Sequence, residues 1–112
     1  MKKVTFYKVI IDPRTRRATT RAATGYRKIF NYYDPSSRDA FEISLIFEKR
    51  AFDWAITEEK SGFLVFGNFP TRKAAENRVT PELLKAINDK LPGLNHYITL
   101  VNIARGKAEA AT

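Results

Sequence analysis

FEISLIF at residues 41–47 and AFDWAIT at residues 51–57 are two adjacent runs in which large apolar side chains recur at every second position. A period of two places alternate side chains on opposite faces of a strand, whereas a helix repeats about every 3.6 residues. The pair therefore predicts two antiparallel strands that each bury one face. The competing interpretation, which the sequence leaves open, is one helix from Ser37 to Ile56 with Ser36 or Ser37 as its N-cap.

Further strands are predicted on both sides of these runs, because the flanking segments are rich in β-branched and aromatic residues. They are KVTFYKVII at 3–11, YRKIFNYY at 26–33, FLVFGNF at 63–69 and HYITLVNI at 96–103. Two helices are predicted before the last strand, one capped by Thr71 and one that starts at Thr80-Pro81 and stops at Pro92-Gly93. The order β-β-β-β-β-α-α-β predicts an α+β fold, with a mostly antiparallel sheet that carries the C-terminal helices on one face.

The domain organisation follows from size and local composition. With 112 residues, of which 44% are hydrophobic, the chain resembles one ordinary globular domain. We expect the domain to span residues 1–104 and residues 105–112 to form a frayed tail. Residues 12–25, DPRTRRATTRAATG, contain no large apolar side chain and are predicted to be a mobile loop. The two N-terminal strands would then form a hairpin arm with a basic tip.

Several classes of site are disfavoured by the composition. The chain contains no cysteine, so disulfides and thiolate metal sites are excluded. No apolar stretch approaches the ~20 residues of a membrane span, and the N-terminal segment is interrupted by Lys8 and Asp12, unlike a signal peptide. We therefore expect a cytoplasmic protein that has no membrane partner. We also expect a bacterial, phage or mobile-element origin, and neither a metal nor a cofactor. His96 is the only histidine, and we expect it to be structural.

The positive charge is concentrated near the N-terminus. The net charge of the chain is +8. Residues 1–33 contain nine basic side chains and one acid, a net of +8, whereas residues 34–112 contain eleven of each sign. The nine are Lys2, Lys3, Lys8, Arg14, Arg16, Arg17, Arg21, Arg27 and Lys28. A local excess of this kind is the electrostatic footprint of a surface that binds a polyanion.

The basic segment is predicted to bind DNA or RNA. Arginine makes bidentate contacts with phosphate, and aromatic rings exposed on a strand can stack on unpaired bases. The residues predicted to do so are Arg14, Arg16, Arg17, Arg21, Tyr26, Arg27, Lys28 and Tyr32. The pattern does not distinguish DNA from RNA or single from double strands. The alternative interpretation is that the aromatic rings face the core and that the charges serve only solubility.

Three functions are compatible with these residues. We expect a small non-enzymatic nucleic-acid-binding accessory protein that contacts phosphates through the hairpin arm. The alternative is a protein-interaction module or inhibitor that docks on an acidic or nucleic-acid-binding surface of a partner protein. A homodimer that pairs exposed strand edges is compatible with both. The third hypothesis is a metal-dependent nuclease that uses carboxylates such as Asp12, Asp34 and Asp39.

Two families share a short pattern with this chain. FPTRKAAE at residues 69–76, which follows Trp54 and a strand–turn–strand, resembles the F-x-T-K-K-x-A-E pattern of the arm-type DNA-binding domains of phage integrases. That resemblance implies a sheet that lies on DNA, although FLVFGNF is apolar where the family is usually basic. The junction between the predicted strand at 63–69 and the following helix, with the pattern F-x-x-x-x-x-A from Phe69 to Ala75, is similar to one in the sporulation-related peptidoglycan-binding domain. No functional residue is carried over from either family.

Overall fold

The computed structural model describes residues 1–111, and within them five strands are followed by three α-helices. This arrangement confirms the predicted α+β fold. The strands are β1 (Lys2–Ile11), β2 (Ala18–Asp34), β3 (Asp39–Lys49), β4 (Trp54–Glu58) and β5 (Phe63–Phe69). The helices are α1 (Arg72–Asn77), α2 (Pro81–Lys90) and α3 (Asn95–Ala110), with a 3-10 turn at Leu91–Leu94. None of the helices in residues 1–111 has the length and apolar character needed to cross a membrane.

The five strands form one antiparallel sheet in the order β1-β2-β3-β4-β5. The alternating segment at residues 41–57 forms β3 and β4, as predicted, and not the competing helix. Phe47 on β3 pairs with Tyr26 on β2 and with Ile56 on β4. The period of two therefore identifies both strands correctly. The prediction that each strand buries only one face is wrong, because Leu45 and Ile46 are consecutive residues on opposite faces of β3 and both are fully buried.

One face of the sheet packs on α1 and α2, as predicted. The buried residues of this core are Ile43, Leu45, Phe47, Ile56, Ala75, Leu84 and Ile87. Thr71 and Thr80 cap the two helices, because their hydroxyl oxygens accept hydrogen bonds from Ala74 N at 3.0 Å and Leu83 N at 3.2 Å. The caps satisfy backbone donors that the first helical turn leaves free.

The β1–β2 hairpin folds over the opposite face of the sheet. The first half of β2 pairs with β1 and its second half pairs with β3. The two pairings overlap at Tyr26 and Arg27. At the adjacent Gly25, an added Cβ would lie 2.5 Å from Cγ2 of Ile46. Beyond this close approach, Lys8 Nζ lies 2.9 Å from a carboxylate oxygen of Glu48, and Val9 N donates to Gly62 O at 2.9 Å. Phe6, on β1 of the hairpin, is fully buried.

The C-terminal strand predicted at residues 96–103 is wrong, because these residues lie in α3. Their β-branched side chains suggested a strand, but the more buried positions recur at helical spacing and include Tyr97, Val101 and Ala104. The tail predicted at 105–112 is also wrong over residues 105–110, which continue α3. Arg105 holds this part of the helix, since its Nη2 donates to Glu59 O at 3.4 Å. Thr112 lies outside the described residues.

Candidate nucleic-acid interface

The loop predicted at residues 12–25 is wrong in its extent. Residues 18–25 belong to β2 and pair with β1, so only residues 12–17 remain as a turn. Thr and Ala side chains can bury only a small area, which suggested a loop. The backbone of residues 18–25 is instead satisfied by main-chain pairing with β1, and Thr20 and Ala22 line a surface hollow together with residues of α3. The hairpin arm with a basic tip is therefore present, but its loop is short.

Asp12 organises the hairpin turn, which we define as residues 12–17. Its carboxylate accepts a hydrogen bond from Arg14 N at 2.8 Å, and its carbonyl accepts one from Arg16 N at 2.7 Å. Asp12 N donates to Arg17 O at 2.9 Å, which closes the turn. Arg16 adopts a left-handed backbone conformation, with φ of 57°. The hairpin turn thus has a defined backbone from which three arginines extend.

The arginines of the hairpin turn and the neighbouring Arg21 are exposed. Within residues 1–111, none of Arg14, Arg16, Arg17 and Arg21 forms an ion pair. The one acid of the turn, Asp12, uses its carboxylate to accept a backbone hydrogen bond. The guanidinium groups consequently keep their full capacity to bind an anion.

Arg27 is placed differently from the arginines of the turn. Its Nε donates to Glu59 at 2.7 Å, and Ser44 Oγ donates to the same carboxylate at 2.7 Å. Burial raises the pKa of Glu59, but the hydrogen bonds from Arg27 and Ser44 outweigh burial and hold that pKa below its usual value. The hydrogen bond with Glu59 also raises the pKa of Arg27. Arg27 is thus engaged inside the protein.

Tyr26 and Tyr32 lie on the face of the sheet that packs on the helices. Both are half-buried against the core. The ring centroid of Tyr26 lies 6.3 Å from that of Trp54, and Cζ of Arg72 lies 5.1 Å from the Tyr26 centroid. The ring centroid of Tyr32 lies 4.8 Å from that of Phe41. The two tyrosines predicted to stack on bases therefore contact protein side chains.

Lys28 is exposed on β2, with its ammonium 5.2 Å from the ring centroid of Phe30. Of the eight residues predicted to bind nucleic acid, the structure groups Arg14, Arg16 and Arg17 on one turn and leaves Arg21 exposed beside it. It separates them from the internally engaged Arg27, Tyr26 and Tyr32. Alternation along β2 alone does not predict this division, because it depends on which element covers each face.

Phe52 is an exposed aromatic residue that the sequence pattern misassigned. Its alternation with Trp54 and Ile56 suggested a buried position on a strand, but β4 begins only at Trp54. Phe52 therefore lies in the β3–β4 turn, and its side chain is 100% exposed. The available signal is the run Lys49-Arg50 just before it, which marks the end of β3.

Two of the carboxylates at the predicted nuclease positions, those of Asp12 and Asp34, accept hydrogen bonds within the protein. Asp34 accepts hydrogen bonds from Ser36 N at 2.9 Å and Ser36 Oγ at 2.7 Å, and lies 3.5 Å from Lys85 Nζ. These contacts, those of Ser36 above all, lower the pKa of Asp34 to about 2. No group of three or more His, Asp or Glu side chains in residues 1–111 is arranged to hold a metal ion.

Two exposed surfaces thus carry positively charged side chains: the hairpin turn with Arg21, and the β3–β4 turn with Phe52. The first surface gathers guanidinium groups, and the second adds an aromatic ring.

Comparison of the chain with protein-family models, with curated proteins and with solved structures finds no match.

Proposed function

We propose that the protein is a non-enzymatic nucleic-acid-binding accessory protein that contacts phosphates through its hairpin turn. The observation that carries the proposal is the exposure of Arg14, Arg16, Arg17 and Arg21, with no ion pair to any of them within residues 1–111. The guanidinium group of an exposed arginine without an ion pair presents a planar fork of donors that matches a phosphate.

The charge balance of the hairpin supports the proposal. Of the nine basic side chains in residues 1–33, Lys8 and Arg27 are neutralised by the carboxylates of Glu48 and Glu59. The other seven form no ion pair with the described part of the chain. Internal pairing therefore leaves most of the N-terminal excess available to attract a polyanion, and such attraction acts over about 10 Å at 0.1 M salt.

The order of the hairpin turn also supports binding. Asp12 fixes the backbone on which the arginines are carried, so little backbone entropy is lost when phosphates are bound. Contacts to phosphate carry no direct information about base sequence. We therefore expect the hairpin turn to bind nucleic acid with little sequence preference and with strong dependence on salt.

Fluorescence anisotropy across a salt series tests the proposal with labelled single- and double-stranded DNA and RNA. The test variant changes Arg14, Arg16 and Arg17 to Ala. The matched control changes Arg38, Lys60 and Lys107 to Ala, three exposed residues outside the hairpin that form no ion pair within residues 1–111. Both variants remove three positive charges, from the hairpin turn in one case and from elsewhere on the surface in the other.

We expect micromolar or tighter binding by the unmodified protein at low salt. Loss of the three turn arginines should weaken binding and flatten the log–log salt slope on duplex DNA by about 2 to 3, whereas the control should keep most of the slope. Equal losses in the two variants would show that only net charge matters. Absence of binding at low salt would overturn the proposal and favour a protein partner with an acidic surface.

A further inference from the structure

Phe52 is held away from the protein by a well-defined turn. Arg50 Nε donates to the carboxylate of Asp53 at 2.7 Å, and Arg50 N donates to Asp53 O at 2.8 Å. The Asp53 carboxylate also accepts a hydrogen bond from Asn68 N on β5 at 2.7 Å. These bonds tie the turn to the neighbouring strand. The full exposure of Phe52 is therefore built into an ordered turn.

A groove of about 880 Å³ lies beside this turn, between the sheet and the start of α1. Tyr26, Trp54 and Pro70 supply its apolar lining, and its basic residues are Lys49, Arg72 and Lys73. Lys49, Trp54 and Pro70 also line the small hollow at Phe52, so Phe52 adjoins the groove. We call Phe52 and this groove the stacking surface.

The charges of the stacking surface favour a polyanion. Arg50 is paired with Asp53, and Arg72 lies 3.9 Å from Glu76. Lys49 and Lys73 are exposed and form no ion pair with any residue in 1–111. The surface is thus net positive around an exposed aromatic ring. Lysine is depleted in protein–protein interfaces, whereas aromatic rings combined with cations are the usual means of holding a single strand.

We propose that Phe52 stacks on an unpaired base, while Lys49 and Lys73 contact neighbouring phosphates, so that the protein prefers single-stranded over double-stranded nucleic acid. A ring can stack on a base only where the base face is free, which a continuous duplex does not offer. The inference rests on the proposed nucleic-acid binding and adds to it the strandedness of the ligand. It also moves the stacking role from Tyr26 and Tyr32 to a residue with an uncovered ring.

Substitutions of Phe52 test the inference by anisotropy with a single-stranded oligonucleotide and its duplex. Phe52→Ala should weaken single-strand binding by roughly 5- to 150-fold and leave duplex binding unchanged, because one stacking contact is lost. Phe52→Leu should lose nearly as much, since leucine is apolar but has no ring, and Phe52→Trp should restore binding. The salt slope should stay constant, because no cation is removed.

Leu64→Ala is the matched control, because Leu64 is a large apolar side chain, 46% exposed, on β5. Its single-strand affinity should equal that of the unmodified protein. Thermal unfolding of each variant checks that the fold is retained.

The outcomes separate the inference from the function on which it rests. If the unmodified protein binds nucleic acid and Phe52→Ala binds single strands equally well, the stacking role is overturned and the proposed function stands. If no nucleic acid binds, both are overturned. If Phe52→Ala instead changes sedimentation mass, or abolishes co-sedimentation with phosphatidylserine vesicles, while single-strand affinity is unchanged, the surface serves self-association or a membrane and the inference is overturned.

Discussion

Glu59, which directly follows β4, accepts hydrogen bonds from Arg27 on β2, although β3 lies between these two strands. Ser44 on β3 donates to the same carboxylate, so side chains of two neighbouring strands share one acceptor. Arg105 of α3 approaches it as well, with Nη2 at 3.8 Å. The Glu59 side chain is only 9% exposed. This cluster joins the C-terminal helix to the sheet, and it removes Arg27 from the charges that can meet a ligand.

Replacement of Glu59 by Ala should lower the free energy of unfolding by about 2–3 kcal/mol. The change leaves the guanidinium groups of Arg27 and Arg105 close together without their carboxylate. Urea denaturation at neutral pH measures the loss. Glu42→Ala is the control, because Glu42 is exposed on β3 and forms no ion pair within the described residues, and it should change stability by less than about 0.5 kcal/mol. Equal effects of the two substitutions would contradict a stabilising role for the cluster.

Arg27→Ala should separate stability from ligand binding. We expect this substitution to lower the thermal midpoint, because Glu59 loses its principal hydrogen-bond donor. Nucleic-acid affinity per folded molecule should stay close to that of the unmodified protein at temperatures where the variant is folded. Arg14→Ala should do the opposite, since Arg14 is exposed and unpaired within residues 1–111. An affinity loss for Arg27→Ala as large as that for Arg14→Ala would show that Arg27 contacts the nucleic acid.

Stability should fall when the solution is acidified from about pH 4 toward pH 2. Hydrogen bonds from Arg50 lower the pKa of Asp53 from 3.8 to about 2, and those from Ser36 do the same for Asp34. A carboxyl whose pKa is lower in the folded state stabilises the fold above its unfolded pKa, and that contribution is lost as the pH falls through its folded pKa. Thermal midpoints between pH 2 and pH 7 measure the change.

Asp53→Asn and Asp34→Asn supply the control for this pH dependence. Each variant lacks one titrating group, so its thermal midpoint should change less steeply in the acid range than that of the unmodified protein. A midpoint that stays constant from pH 6 to pH 2 in the unmodified protein would contradict the assignment of lowered pKa values to these two carboxyls.

Gly25→Ala should destabilise the fold by about 1–3 kcal/mol. The added Cβ would meet Cγ2 of Ile46 at 2.5 Å and the carbonyl oxygen of Phe47 at 3.0 Å, where β2 passes from one partner strand to the other. Gly106→Ala is the matched control, because Gly106 lies in α3 and nothing stands within 4 Å of its added Cβ. That substitution should stabilise the helix by about 0.5–1 kcal/mol. Chemical denaturation of both variants decides the sign.

Phe6 and Phe52 form a second matched pair. Phe6 on β1 is 0% exposed, so Phe6→Ala should cost about 3–5 kcal/mol of unfolding free energy. Phe52 is 100% exposed, so Phe52→Ala should change stability by less than about 0.5 kcal/mol. Equal destabilisation by the two substitutions would show that Phe52 packs against the protein in solution.

Local patterns explain the parts of the fold that were predicted correctly. The alternation over residues 41–57 identifies β3 and β4 because the period of a strand is a property of consecutive residues. Thr71 and Thr80 mark helix starts for the same reason, since capping needs only a side chain and a backbone N–H three residues later. The exposed arginines of the hairpin turn were found by counting charge, which also requires no knowledge of distant contacts.

The errors fall where distant segments meet. Residues 18–25 have the composition of a loop but form a strand, because β1 supplies partners for their backbone groups. Residues 96–103 have the composition of a strand but form part of α3, whose buried stripe includes Tyr97 and Val101. Intrinsic propensities differ by only about 1 kcal/mol or less per residue, so packing and pairing override them.

The candidate site likewise has some features that the sequence predicts and others that only the folded structure decides. Consecutive residues establish that the N-terminal third is basic and that Arg14, Arg16 and Arg17 lie close together in the chain. That the segment carrying them is a short turn, and not a long mobile loop, was decided by the pairing of residues 18–25 with β1. The bend at Gly25, the reach of Glu59 across β3 and the early end of β3 decide the rest: Arg27 is neutralised, Tyr26 is half-buried against Arg72, and Phe52 is exposed. Charge and periodicity are carried by the chain itself. The pairing of a cation and the exposure of a ring depend on the groups that folding brings opposite them, because ion pairs and apolar contacts act over only a few ångströms.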